Sequence, residues 1–111
     1  LPEQSHGESF SARMQNRSGG RGLYLLDDPE AALSPTRQMA MLRLMALLVE
    51  DGSQFLVATH SPILTAYPGA AIYELSENGM QRTAYRETQN FLLTRRFLQD
   101  PEKMAKSLTE Q

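Results

Sequence analysis

Cysteine is absent from the 111 residues, which removes disulfide frameworks and thiolate metal sites from consideration and is compatible with a cytoplasmic protein. No apolar run approaches the roughly twenty residues that a membrane-spanning helix requires, and no signal peptide is visible. The chain is therefore read as soluble, free to dock on a membrane partner but showing no membrane signal of its own. It also lacks a marked excess of either charge. Eleven basic side chains stand against thirteen acidic ones, and the arginines are scattered, so no electrostatic footprint for nucleic acid shows. Internal repeats and low-complexity segments are missing as well.

What is present is organised around Gly22 to Pro35, G-L-Y-L-L-D-D-P-E-A-A-L-S-P. Leu23 to Leu26 are four apolar residues in a row, too few for a helix, and they lie between a glycine-rich loop and a proline. This predicts a short strand buried on both faces. Asp27 and Asp28 follow at once. In an open parallel sheet the carboxyl ends of the strands open into a crevice where ligands bind, so two acids there fall at the chemically useful edge. Pro29 stops the strand because it has no ladder donor.

Ser34-Pro35 reads as an N-cap followed by proline at the first helical position, with the helix running to about Glu50 and Gly52 ending it. Thr36, Arg43 and Glu50 lie two turns apart on a narrow polar stripe, whereas Met39, Leu42, Leu44, Met45, Leu47, Leu48 and Val49 cover most of the remainder. Such a helix is expected to be buried on more than one side. Phe55 to Ala58 is a second short apolar run, consistent with a central parallel strand, and leads into Thr59-His60-Ser61-Pro62. Strand, helix and strand in that order make a crossover unit with parallel strands.

On the amino-terminal side, Ser5-His6-Gly7-Glu8 has the spacing of a capping box, which predicts a helix over 4–17 ending in the glycine-rich loop before Gly22. On the carboxyl-terminal side, Ile63 to Ala66 makes at most one turn before Pro68-Gly69. Ala70 to Leu75 and Met80 to Arg86 read as strands separated by Ser76-Glu77-Asn78-Gly79, whose Asn-Gly is a hairpin signal. Helices follow over Thr88 to Gln99 and from Asp100-Pro101 onward, so a hairpin and terminal helices fill 70–109. The fold class expected is α/β: a mostly parallel sheet flanked by helices, with a late antiparallel hairpin.

Three stretches carry chemistry: Ser5-His6-Gly7-Glu8, the acids Asp27-Asp28 after one strand, and His60 after the next. Each has a bland reading, respectively a helix cap, a soluble loop or cap, and a turn residue. Their order and spacing favour a shared site. Together they resemble the signature motif, Walker B segment, D-loop and switch histidine of the ABC-type ATPases, a group that includes SMC-like ATPases. The chain looks more closely like the carboxyl-terminal half of bacterial AAA-family ATPases in which S-H-G-E-S, Y-L-L-D-x-P-E-A-A-L-S-P and A-T-H-S-P-I-L occur in sequence.

That resemblance implies part of a P-loop NTPase fold, with the signature helix at 4–17, Walker B and D-loop at 22–35 and the switch-histidine region at 54–62. It implies ATP and Mg2+ as cofactors, with Asp27 as the metal-binding Walker B acid and Asp28 and His60 as catalytic residues. Ser5, Gly7, Glu8 and Ser34 are implied to contact nucleotide, and the active unit to be a head-to-tail homodimer sandwiching ATP. Asp28 stands where the family usually carries glutamate, one methylene longer, which predicts slow hydrolysis. His6 and Glu8 also depart from transporter signatures. No G-x-x-x-x-G-K-[ST] phosphate cradle occurs in the sequence. The chain, which opens on Leu1, is accordingly expected to be a fragment missing an amino-terminal P-loop part and inactive alone.

Two other classes of function compete. One is a regulatory or dimerisation module with little catalysis, for which the shortened Asp28 would be the mark. The other is an α/β hydrolase using Asp28 and His60 as a dyad, although no serine elbow or cysteine nucleophile accompanies them.

Overall fold

The computed structural model describes the backbone of residues 11–16 and residues 22–110 in full. It divides into two compact units, residues 1–67 and 68–111.

The first unit is built on a three-stranded sheet. Strand β1 (Ser11–Asn16) runs antiparallel to β2 (Gly22–Asp27), and β2 runs parallel to β3 (Gln54–Ala58), in the order β1-β2-β3. Only one of the two pairings is parallel, so the sheet is mixed and not mostly parallel. The crossover between β2 and β3 is helix α1 (Pro35–Glu50), as the strand, helix, strand pattern predicts.

The helix expected over 4–17 is corrected by β1. Residues 4–10 lie outside the described residues, and 11–16 are strand. The capping-box pattern suggests a helix, but Phe10, Ala12 and Met14 recur every second residue. That is the strand period, and here it prevails. A run that short cannot be assigned by its cap alone.

Ser34 caps α1 as expected, its Oγ accepting the Arg37 N–H at 3.2 Å. The other end closes at Gly52, whose φ of 96° is reached without the cost a Cβ would impose. Gly52 N–H donates to the Val49 carbonyl and Ser53 N–H to the Leu48 carbonyl, each at 2.9 Å, the paired bonds of a Schellman motif. Ser53 is itself buried, and its Oγ accepts the Gly22 N–H at 3.4 Å, linking the start of β3 to the start of β2.

Burial is shallower than the apolar runs imply. Leu26, Met45 and Leu64 are buried hydrophobic side chains, and Pro29 is fully enclosed, among the described residues. Helix α1 packs on β3 and on the 3-10 turn Leu64–Ala66, yet Met39, Leu44, Leu47 and Val49 are exposed. It is buried along one line, through Met45, and not on several sides. In β3, Phe55 and Val57 are half-buried while Leu56 is 68% exposed, because successive side chains point to opposite faces of the sheet and only one face is covered. Across the parallel pair, Tyr24 and Phe55 are register partners whose rings stack with centroids 4.7 Å apart. Such a contact contributes about 0.5–1.5 kcal/mol beyond area burial.

The second unit begins with a hairpin, β4 (Tyr73–Ser76) and β5 (Gly79–Arg82). Ser76 pairs with Gly79, so the turn residues are Glu77-Asn78, inside the Ser76–Gly79 stretch expected to connect the strands. Gly79 takes the positive φ of 101°, which places the glycine after the turn and not within it. Helices α2 (Gln89–Gln99) and α3 (Pro101–Thr109) follow. Thr88 and Asp100 cap them, accepting the N–H groups of Phe91 and Lys103.

Candidate functional site

The carboxyl ends of β2 and β3 lie side by side, since Asp27 is in register with Ala58. Asp28 N–H extends the pairing by one bond, donating to the Ala58 carbonyl at 2.8 Å. The backbone of Asp28 then turns into the left-handed region, φ 53° and ψ 47°. Its carbonyl accepts the Ala31 N–H at 3.0 Å, starting the 3-10 turn Pro29–Ala32. Short polar side chains such as Asp and Asn tolerate that conformation better than longer ones. Although Asp28 occupies the N-cap position of this turn, its carboxylate makes no capping hydrogen bond, so capping does not account for it.

The Asp28 carboxylate instead faces His60, with Oδ1 3.5 Å from Nδ1. The imidazole is 90% and the carboxylate 55% exposed. Solvent screening limits such a pair to about 1 kcal/mol at most, so it is a juxtaposition of reactive groups more than a source of stability. Asp27 is exposed at the end of β2.

Glu30, on the 3-10 turn, joins the two strand ends. Its Oε1 accepts the Thr59 hydroxyl at 2.5 Å and its Oε2 accepts the His60 N–H at 2.8 Å. Partial burial alone would raise its pKa. The hydrogen bonds from the Thr59 hydroxyl, the His60 amide and its own amide, with a contribution from Asp28, outweigh that and hold the carboxyl below its ordinary value. One ligand atom from each of Asp28, Glu30 and His60 falls within 4.8 Å of the others, so the three could converge on a cation, although both Glu30 oxygens already accept hydrogen bonds.

Beyond His60 the chain is held by Ser61, which is 4% exposed. Its hydroxyl donates to Gln38 Oε1 and accepts from the N–H groups of Ile63 and Leu64 at 3.1 and 3.0 Å. Gln38 Nε2 in turn donates to the Leu33 carbonyl at 3.1 Å. A hydroxyl so committed is a turn-former, and Ser61 does not supply the nucleophile that the hydrolase reading lacks.

Of the residues singled out in the sequence, the structure brings together Asp28 and His60 and places Asp27 on the same strand end. Ser34 is found as the cap of α1. Ser5, Gly7 and Glu8 lie outside the described residues. Sequence reasoning missed Glu30, Thr59 and the Ser61–Gln38 pair. Glu30 sits inside the D-D-P-E segment, but its partners are about thirty positions away, and no local period signals a contact of that range.

Residues 10–66, just over half of the chain, match the family described as AAA domain, putative AbiEii toxin, Type IV TA system. No curated protein and no solved structure gives a significant match. The matched span begins at the residue before β1 and ends with the turn Leu64–Ala66, so it contains the whole Asp28–Glu30–His60 arrangement.

Proposed function

Because the chain belongs to this AAA-domain family, we propose that it is the carboxyl-terminal part of a cytoplasmic ATPase of ABC-like type, with its hydrolytic groups at the ends of β2 and β3. The observation that carries the reading is the approach of His60 to Asp28 at 3.5 Å across adjacent parallel strand ends.

Phosphoryl transfer asks the protein mainly for placement and charge neutralisation. Asp27 and Asp28 supply hard, well-hydrated oxygen donors, which suit Mg2+ because that ion keeps several of its waters. Asp27 would hold it, and the ion would supply charge neutralisation at the phosphates. Asp28 orients the attacking water and accepts its proton. His60 faces the terminal phosphate of ATP and fixes the water from the other side. Ser5, Gly7 and Glu8 contact the nucleotide of a second copy in a head-to-tail homodimer, and Ser34 lies at the same boundary. The phosphate cradle comes from sequence outside this chain.

Turnover in the full-length protein tests this. Asp28→Asn keeps a residue that tolerates the left-handed backbone and removes the acid, so it and His60→Ala should each lower ATP turnover by about a hundredfold or more. Wild-type rates in both variants would refute the site. Asp28→Glu should turn over faster than wild type if the shorter acid limits the rate, and a slower Glu variant counts against that part.

The second reading, a nucleotide-dependent dimerisation or regulatory module, draws on the same shortened acid. It requires ATP-dependent dimers with negligible turnover in wild type and Asp28→Glu alike.

A further inference from the structure

The side chains of Asp28 and His60 are largely exposed, so packing does little to set their geometry. The groups that carry them are set by the main chain. The turn after β2 and the turn after β3 are bridged by one carboxylate, Glu30, whose two oxygens engage consecutive residues, the Thr59 hydroxyl and the His60 amide. Thr59 Oγ1 passes the connection on by accepting the Ser61 N–H at 2.9 Å. Hydrogen bonds to an ionised carboxylate are stronger than neutral ones, and two of them from adjacent residues fix orientation as well as distance.

We infer that Glu30 is a positioning residue for the Asp28–His60 pair, holding the main chain of residue 60 at the distance from the Asp28 turn that lets imidazole and carboxylate act on one phosphate. The inference rests on the functional reading above and assigns Glu30 no contact with nucleotide. A glutamine is not equivalent: its oxygen can accept the His60 N–H, but its amide must donate to Thr59 Oγ1, which reverses that bond, and the charge that strengthens both bonds is lost.

The test is a double-mutant cycle on ATP turnover by the full-length protein, with Glu30→Gln, His60→Ala and the pair. Misplacement of a catalytic group by about 1 Å can cost about a hundredfold, so Glu30→Gln should lower kcat at least about tenfold with KM little changed. In the His60→Ala background the same substitution should add less than about twofold, because residues that act as a unit are non-additive. Thr59→Val, which removes one of the two bonds and keeps the carboxylate, should give a smaller fall of the same kind and stands in if Glu30→Gln does not fold. The amide proton resonance of His60 should also move upfield in Glu30→Gln, a readout independent of activity.

Wild-type kcat in Glu30→Gln, multiplicative effects in the pair, or an unmoved His60 amide resonance would each overturn the inference while leaving the ATPase reading intact. A fully active His60→Ala would instead overturn that reading and the inference with it.

Discussion

Asp28 is the only non-glycine residue with positive φ among those described, and it is also the residue whose acid the proposed chemistry uses. The two facts share a cause. A left-handed residue turns the chain off the end of β2, where the carboxylate meets His60, and a short side chain bears that backbone at least cost. An aspartate at this position is thus suited to its backbone conformation. Glu30 makes a separate prediction at this scale. Its pKa is lowered below 4.5 in the folded protein, so its ionised form contributes stability that is complete above the unfolded value and is lost as pH falls through the folded one. In thermal melts from about pH 7 to pH 3, wild type should exceed Glu30→Gln at neutral pH, and the gap should close only below about pH 4.5. A gap that widens on acidification would contradict the hydrogen-bond assignment.

At the scale of elements, α1 is defined by its two ends more than by its faces. Ser34 satisfies an orphan donor at the start, and Gly52 allows the paired bonds of the Schellman turn at the finish. Gly52 is the more demanding of the two, since its φ of 96° lies where a Cβ is strained. Gly52→Ala should therefore cost about 1–2 kcal/mol, whereas Ser34→Ala should cost about 1 kcal/mol. Chemical denaturation of the two variants checks the order, and an alanine at residue 52 that leaves stability unchanged would argue against the turn as described. The same helix end delivers Ser53 to its bond with Gly22, so the element boundary helps align β3 beside β2 and, through that register, His60 beside Asp28.

For the whole molecule, few side chains among the described residues are completely buried. In the first unit Met45 is 6% exposed and Leu56 is 68% exposed, although both are apolar and both lie in regular elements. Met45→Ala should lower stability by about 2–5 kcal/mol, and Leu56→Thr should change it by no more than about 0.5 kcal/mol, as read by denaturation midpoints. Equal losses would mean that β3 is covered on both faces. No helix among the described residues is long and apolar enough to cross a membrane. The crossover unit, the cap at Ser34, the stop at Gly52 and the approach of Asp28 to His60 were legible from order and spacing, because each depends on bonds a few residues long or on the parallel geometry that a helical crossover imposes. Three things were decided only in three dimensions: the strand at Ser11–Asn16, the one-sided burial of α1 and β3, and the bridge from Glu30 to Thr59 and His60. The first needed a neighbouring strand to accept its period-two backbone, the second depended on which faces meet a partner, and the third joins residues separated by a whole helix, whose side chains come within bonding distance only after the two strands have paired.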